Sequence, residues 1–159
     1  MRAVHSLGSV VVILCPERID ESFVRTLAHD FEPILSGDSR YACITDTSRL
    51  LELPSAKHRK VLSDWMNRAD VGERQKVLNV GSSTLIQNAP MRAVLTALYW
   101  IWTPPTPQHA ARDVDEALDW CVSVLARDKV PLGTDEAHLR ARVRMLCGSR
   151  STQPPPPPP

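Results

Sequence analysis

Short apolar runs alternate with amphipathic segments along most of the chain, and this alternation constrains the fold more than any other feature. Residues 10–15 are continuously apolar and rich in valine, which is typical of a strand covered on both faces, and Pro16 ends the run. Residues 41–45 are predicted to form a second buried strand that ends at Asp46, and residues 76–80 repeat the strand pattern. Strands that alternate with helices predict parallel pairing through right-handed crossovers, and therefore an α/β fold.

Helical periodicity fills the segments between and after these strands. Apolar residues recur every three or four positions over residues 19–34, and Asp20 and Glu21 stand at the positive end of the helix dipole. Four further helices are predicted: over about residues 55–69, from the Gly81 turn to near Trp102, from a cap at Asp113 to Leu125, and over residues 134–147.

The order of elements predicts one domain with a mostly parallel sheet. Residues 2–6 and 109–111 are candidate edge strands. We expect the domain to cover residues 1–130 and an extra C-terminal helix to be appended over residues 131–148. Residues 149–159 end in six prolines, which predicts a disordered tail in a solvated polyproline conformation, with a proline-recognising partner as the alternative.

Charge and cysteine content argue against several classes of protein. The 19 Lys and Arg residues against 18 Asp and Glu residues give a net charge of +1, so neither nucleic acid nor an anionic membrane is an expected partner. The four cysteines are widely separated, which predicts reduced core residues and, without a secretory signal, a cytoplasmic location. Polar residues in the apolar segment 85–102 argue against a membrane span.

The sequence shows no catalytic, metal or cofactor signature. The five histidines lack metal-ligand spacing, and no nucleophile elbow occurs. The run Gly81-Ser82-Ser83-Thr84 would offer amides to an anion, but it lacks the lysine and further glycines of a phosphate loop, so ordinary capping is favoured. We therefore expect no catalytic residue, metal or cofactor. An enzyme whose polar groups converge only on folding stays open.

Two groups of residues are candidate contact sites. Asp46 stands at the carboxyl end of a predicted strand, where parallel sheets often carry functional groups, although a turn-forming aspartate is the favoured interpretation. Tyr99, Trp100 and Trp102 end an apolar helix beside a proline-rich turn. These aromatic residues are candidate anchors for a partner, and packing in the core is the favoured alternative.

The order of elements and three stretches of sequence resemble the STAS or SpoIIAA-like superfamily, in an uncharacterised bacterial branch. The stretches are residues 41–48 with His58, Arg59 and Trp65 in the next helix, residues 91–100, and residues 104–105 with residues 115–120. The resemblance covers about residues 9–126. It implies a four- or five-stranded, mostly parallel sheet with helices packed mainly on one face.

The resemblance also implies a non-enzymatic regulatory module that acts through protein contacts. In anti-sigma-factor antagonists, a partner kinase phosphorylates a serine at the start of the helix after the central strand, and this switches binding. Ser55 is the nearest matching position and Ser48 is the second, while Pro54-Ser55-Ala56-Lys57 replaces the family's Asp-Ser-Ser-Gly-like run. A phosphate at Ser55 would meet helix amides and Lys57 or His58.

The sequence leaves two hypotheses for function. The first is a cytoplasmic bacterial interaction module, as a homodimer or with a protein partner that the sequence does not identify. It would use the region of residues 99–102 or the helix face of Ser55. The second is a small-ligand sensor that holds a lipid or a nucleotide near Asp46, Ser55 and Gly81, at the carboxyl ends of the strands.

Overall fold

The computed structural model describes residues 2–93 and 104–148. In chain order the elements are β1 (Val4–Leu7), β2 (Val10–Leu14), α1 (Glu21–Ser36), β3 (Tyr41–Asp46), α2 (Ala56–Met66), α3 (Ala69–Leu78), β4 (Asn79–Leu85), α4 (described over residues 89–93), β5 (Gln108–Ala111), α5 (Val114–Arg127) and α6 (Glu136–Gly148). Asp113 caps α5 through its side chain, as predicted, and Asp20, which was expected only to favour the helix dipole, caps α1 in the same way.

The five strands form one sheet in the order β1-β2-β3-β4-β5, in which β1 is antiparallel to β2 and the other neighbours are parallel. The predicted α/β class with a mostly parallel five-stranded sheet is thus confirmed. The register aligns Leu14, Asp46 and Leu85 across β2, β3 and β4, so these strands end at one edge. Since the spatial order follows the chain order, the sheet has no reversal point of the kind that forms ligand crevices in doubly wound folds.

Apolar side chains alternate between the two faces of the sheet and are buried on both. Val10, Val12 and Ile44 pack with residues of α5 and α6, whereas Val11 and Cys43 pack with residues of α1 and α3. Helix α2 packs against α1 and α3. Double coverage explains the continuous apolar runs of β2 and β3, because each buried large aliphatic side chain contributes about 1.5–3 kcal/mol.

The region between residues 66 and 85 differs from the prediction. The helix predicted over residues 55–69 ends at Met66, and α3 occupies residues for which a strand was predicted. Val71 and Leu78 are two helical turns apart, and both are buried. Residues 76–78, which were predicted to begin a strand, therefore belong to the buried face of α3. The segment from Gly81 to Thr84 was predicted to begin a helix, but it forms the middle of β4.

The first hairpin docks on the connection between α5 and α6. Gly8 adopts a φ of +57° in the β1–β2 turn, and a Cβ atom there would lie 2.3 Å from the carbonyl oxygen of Leu132. The Ser9 amide donates to that same oxygen at 2.9 Å. The edge strand predicted near the amino terminus is confirmed as β1, and the helix predicted over residues 134–147 as α6. The predicted proline tail lies outside the described residues.

Candidate functional site

A cleft lies at the carboxyl ends of β2 and β3, between the first turns of α1 and α2. Its volume is about 430 Å³, and a second cavity of about 230 Å³ adjoins it through Arg18 and Asp20. This volume falls within the usual range for small-molecule sites. The larger cavity is lined by Arg18, Ile19, Asp20, Glu52, Leu53, Pro54, Ser55 and His58.

Two loops that hold each other in place form the walls of this cleft. The Leu51 amide donates to the carbonyl oxygen of Glu17 at 3.0 Å. Nε of Arg18 lies 3.3 Å from Oε1 of Glu52, but these side chains are 73% and 61% exposed. An ion pair this exposed contributes at most about 1 kcal/mol. The backbone contact therefore carries most of the connection between the walls.

Of the two serines suggested as switch sites, Ser55 lines the cleft. Its Oγ accepts the amide N–H of His58 at 3.2 Å and caps α2, so the side chain stands at the start of the helix after β3. Ser48 lies in the turn after β3, where its amide donates to Oδ1 of Asp46 at 2.9 Å. The structure thus places Ser55 at a helix start, and Ser48 in a turn.

Asp46 is only 1% exposed, so its carboxyl group is not part of a surface. Oδ1 accepts the Ser48 amide, which confirms the turn-forming aspartate, and the backbone carbonyl accepts the Cys15 amide at 2.9 Å. In the part of the chain that the structure describes, Oδ2 has no hydrogen-bond partner. Asp46 therefore joins the ends of β2 and β3 from within the fold.

Gly81 lies far from this edge of the sheet. It pairs with Ala42, four rungs before the pair of Asp46 and Leu85, which corresponds to about 13 Å along a strand. The predicted ligand group of Asp46, Ser55 and Gly81 is therefore wrong as a single site. Gly81 was misplaced because its turn was expected to follow a strand rather than lie inside one.

The remaining predicted contact residues have different outcomes. Arg59 is exposed on α2, and its Nη1 donates to the carbonyl oxygen of Pro54 at 2.8 Å, which ties the guanidinium to the start of the helix. Tyr99, Trp100 and Trp102 lie outside the described residues.

No sequence pattern indicated the polar cluster on the face of the sheet that α5 covers. Ser83 and His109 are opposite each other on β4 and β5, and Oγ of Ser83 lies 3.1 Å from Nδ1 of His109. Nε2 of His109 lies 3.5 Å from Oε1 of Glu116. The imidazole is stacked on the indole of Trp120 with a centroid distance of 5.3 Å. These residues meet only after β4 pairs with β5 and α5 folds back onto both.

A serine, a histidine and a carboxylate also form the catalytic triads of hydrolases, but here Nδ1 rather than Nε2 of the histidine faces the serine, and Ser83 is 0% exposed. A substrate cannot reach Oγ in this conformation, so the cluster satisfies a buried hydroxyl and fastens β5 to α5. Hydrogen bonds from the backbone and side chain of Arg112 hold the pKa of Glu116 below its usual value. A carboxylate at this position is thereby kept ionised beside His109.

Across residues 2–93 and 104–148, no group of three or more His, Cys, Asp or Glu side chains is arranged to hold a metal ion. All four cysteines are buried and form no disulfide bond, which confirms the predicted core role. Burial raises the pKa of Cys43 to about 12 and also raises the pKa of Cys121. Thiolate chemistry is therefore suppressed at both residues.

Comparisons with protein-family models, with curated proteins and with solved structures gave no match. The likeness to the STAS superfamily accordingly stays a prediction. Across the described ranges, every helix falls short of the length and apolar character needed to cross a bilayer.

Proposed function

We propose that this protein is a non-enzymatic, cytoplasmic regulatory module of STAS type that acts through protein contacts. The contact surface is formed by residues 49–66, which comprise the β3–α2 connection and α2 and are called the α2 surface below. One observation carries the proposal: Leu51 and Leu53 are 72% and 43% exposed, next to a helix without a fully buried side chain.

Several apolar residues of this surface are exposed or only half-buried. Leu51 and Leu53 stand two residues apart just before α2, whose apolar residues Val61 and Met66 are half-buried. Single exposed leucines are common on protein surfaces, but neighbouring apolar residues around one helix are typical of a contact site. Coverage by a partner would remove apolar area that folding has left in water.

Phosphorylation of Ser55 is the proposed switch for this surface. Ser55 is exposed at the cap of α2, and a phosphate there would add about −1.5 to −2 charges beside the positive end of the helix dipole. Asp20 and Glu52 line the same cleft and would oppose that charge. The S55D variant should therefore change partner binding, whereas S55A should retain the binding of the unmodified protein.

Site-specific photo-crosslinking in the host tests the contact surface. A benzoylphenylalanine residue at Leu53 should give a discrete protein adduct, and the same residue at Arg142, which is exposed on α6, should not. An adduct with the mass of two chains would identify the homodimer. If neither position 51 nor position 53 gives a protein adduct, the proposal is rejected.

A small-ligand sensor is the second candidate, and the cleft of about 430 Å³ favours it. Arg18 and His58 lie beside the apolar residues Ile19 and Leu53, which suits a lipid or a nucleotide with a charged group and an apolar part. Native mass spectrometry of the protein purified from its host should then show a retained small mass. The I19W variant, which fills the cleft, should lose it.

A further inference from the structure

The α2 surface carries positive charges that no carboxylate of the described residues neutralises. Lys60 forms an ion pair with Asp64 at 2.7 Å. Within the described residues, Arg49, Lys57 and Arg59 have no carboxylate partner, and the bond from Arg59 is made to a carbonyl oxygen. The surface thus combines exposed leucines with three uncompensated cations.

Several arginines elsewhere in the described chain are paired with carboxylates. Arg112 pairs with Glu116, and Arg140 and Arg144 pair with Asp119 and Asp115 at 2.8 and 2.6 Å. These ion pairs neutralise positive charge on α5 and α6. A protein with a net charge of only +1 thus keeps a locally basic surface around the start of α2.

We propose that the α2 surface binds an acidic amphipathic segment of a partner protein. Leu51 and Leu53 would contact the apolar side chains of that segment, while Arg49, Lys57 and Arg59 would contact its carboxylates. The inference rests on the proposed function and adds the chemistry of the partner. Opposite charges at the rim of an apolar contact guide association and select the partner, and they make binding sensitive to salt.

The shape and charge of the neighbouring cleft favour a protein segment over an anionic membrane. Leu53 borders a concave cavity, which can receive an apolar side chain of a partner. Asp20 and Glu52 line that cavity beside Arg18 and His58, so it offers no net positive charge to attract an anionic lipid surface. A peptide can place its carboxylates outside the cavity, on the cations, and an apolar residue inside it.

Charge reversal combined with the crosslinker at Leu53 tests this inference in the full chain. The double variant K57E/R59E should lower the adduct yield about tenfold. The control R142E, on the exposed surface of α6, should leave the yield unchanged. Folding should persist in the double variant, because glutamates near the start of a helix interact favourably with its dipole. Thermal unfolding monitored by circular dichroism verifies this.

Mass spectrometry of the crosslinked peptide completes the test. A peptide with net negative charge, together with lower yield at about 300 mM than at about 50 mM salt, supports the inference. A protein adduct that is insensitive to K57E/R59E, or a basic crosslinked peptide, overturns the inference alone and leaves the proposed function intact. A phospholipid adduct in place of a protein, or no protein adduct at all, overturns both.

Discussion

Gly81 lies directly beneath the indole ring of Trp120, and a Cβ atom at this position would be 2.7 Å from Cη2 of the ring. Real Cβ atoms do not approach other atoms so closely, so the missing side chain on β4 creates the space for the aromatic residue on α5. The other contact of Trp120, the stack with His109, places that helix over β5 as well. One glycine thereby determines how closely α5 approaches the edge of the sheet.

We expect G81A to lower the free energy of unfolding by about 1–3 kcal/mol, because the methyl group overpacks the contact with Trp120. In a chain that already carries W120L, G81A should lower the free energy of unfolding by less than it does in the parent chain. Urea unfolding measures both effects. The control is G148A, since nothing lies within 4 Å of a Cβ atom at Gly148. Equal stability of G81A and the parent chain would contradict the expected clash.

Replacement of Tyr41 should raise the free energy of unfolding, in contrast to G81A. Its side chain is 3% exposed, and across the described ranges its hydroxyl group has no hydrogen-bond partner. Removal of an unsatisfied buried hydroxyl relieves a desolvation cost, so Y41F should raise the free energy of unfolding by up to about 1 kcal/mol. Thermal and urea unfolding will measure the change. A loss of more than about 1 kcal/mol would reveal an interaction of the hydroxyl.

Lys129 has a φ of +57° just after α5. Its amide donates to Ala126, and the Val130 amide donates to Leu125, which is the Schellman arrangement that favours glycine at this position. K129G should therefore stabilise the protein by about 0.5–1 kcal/mol. The neighbouring residue Asp128 has a φ of −88°, so D128G should be destabilising. Similar effects of the two substitutions in urea unfolding would contradict this explanation.

Asp30 binds the start of β1 and should make the free energy of unfolding depend on pH. Burial raises the pKa of its carboxyl group, but hydrogen bonds from the Ala3 amide at 2.8 Å and from neighbouring donors outweigh this, so the pKa lies below its usual value. A lowered folded-state pKa stabilises the protein above the unfolded value of about 3.9, and this contribution is lost as pH falls through the folded-state pKa. The stability difference between the parent chain and D30N should therefore shrink from pH 7 to about pH 3.

Urea unfolding at a series of pH values measures that difference. The control D64N removes an aspartate that is 63% exposed and should show a much weaker dependence. A difference between the parent chain and D30N that is constant with pH would mean that the carboxylate of Asp30 does not contribute through its charge.

The sequence predicted the central elements because their signals are local. A continuous β-branched run identified β2, and a mostly apolar run identified β3. Asp20 at the positive end of the helix dipole and the cap at Asp113 marked the starts of α1 and α5. The boundary between α3 and β4 was wrong because the three apolar residues within positions 76–80 fit either a strand or a buried helical face. Burial of Val71 and Leu78 beneath α1 resolves this ambiguity, and no local pattern contains that information.

The candidate site was predictable only where it depends on one segment. Ser55 stands at a helix start in both sequence and structure, because capping is a local interaction. The contact between Ser83 and His109 requires a specific register of β4 and β5, and their separation of 26 residues gives no periodic signal. The exposure of Leu51 could not be predicted either, since a leucine beside a helix is more often buried.

The docking of the first hairpin on the α5–α6 connection also determines when this protein can complete its fold during synthesis. Ser9 donates from its hydroxyl group to the carbonyl oxygen of Pro131, which is 122 positions further along the chain. Neighbouring strands can pair as they emerge from the ribosome, because their spatial order follows the order of translation. The turn at Gly8 must wait for residues 131–134, so a ribosome-bound chain that ends before them exposes the hairpin to proteases and chaperones.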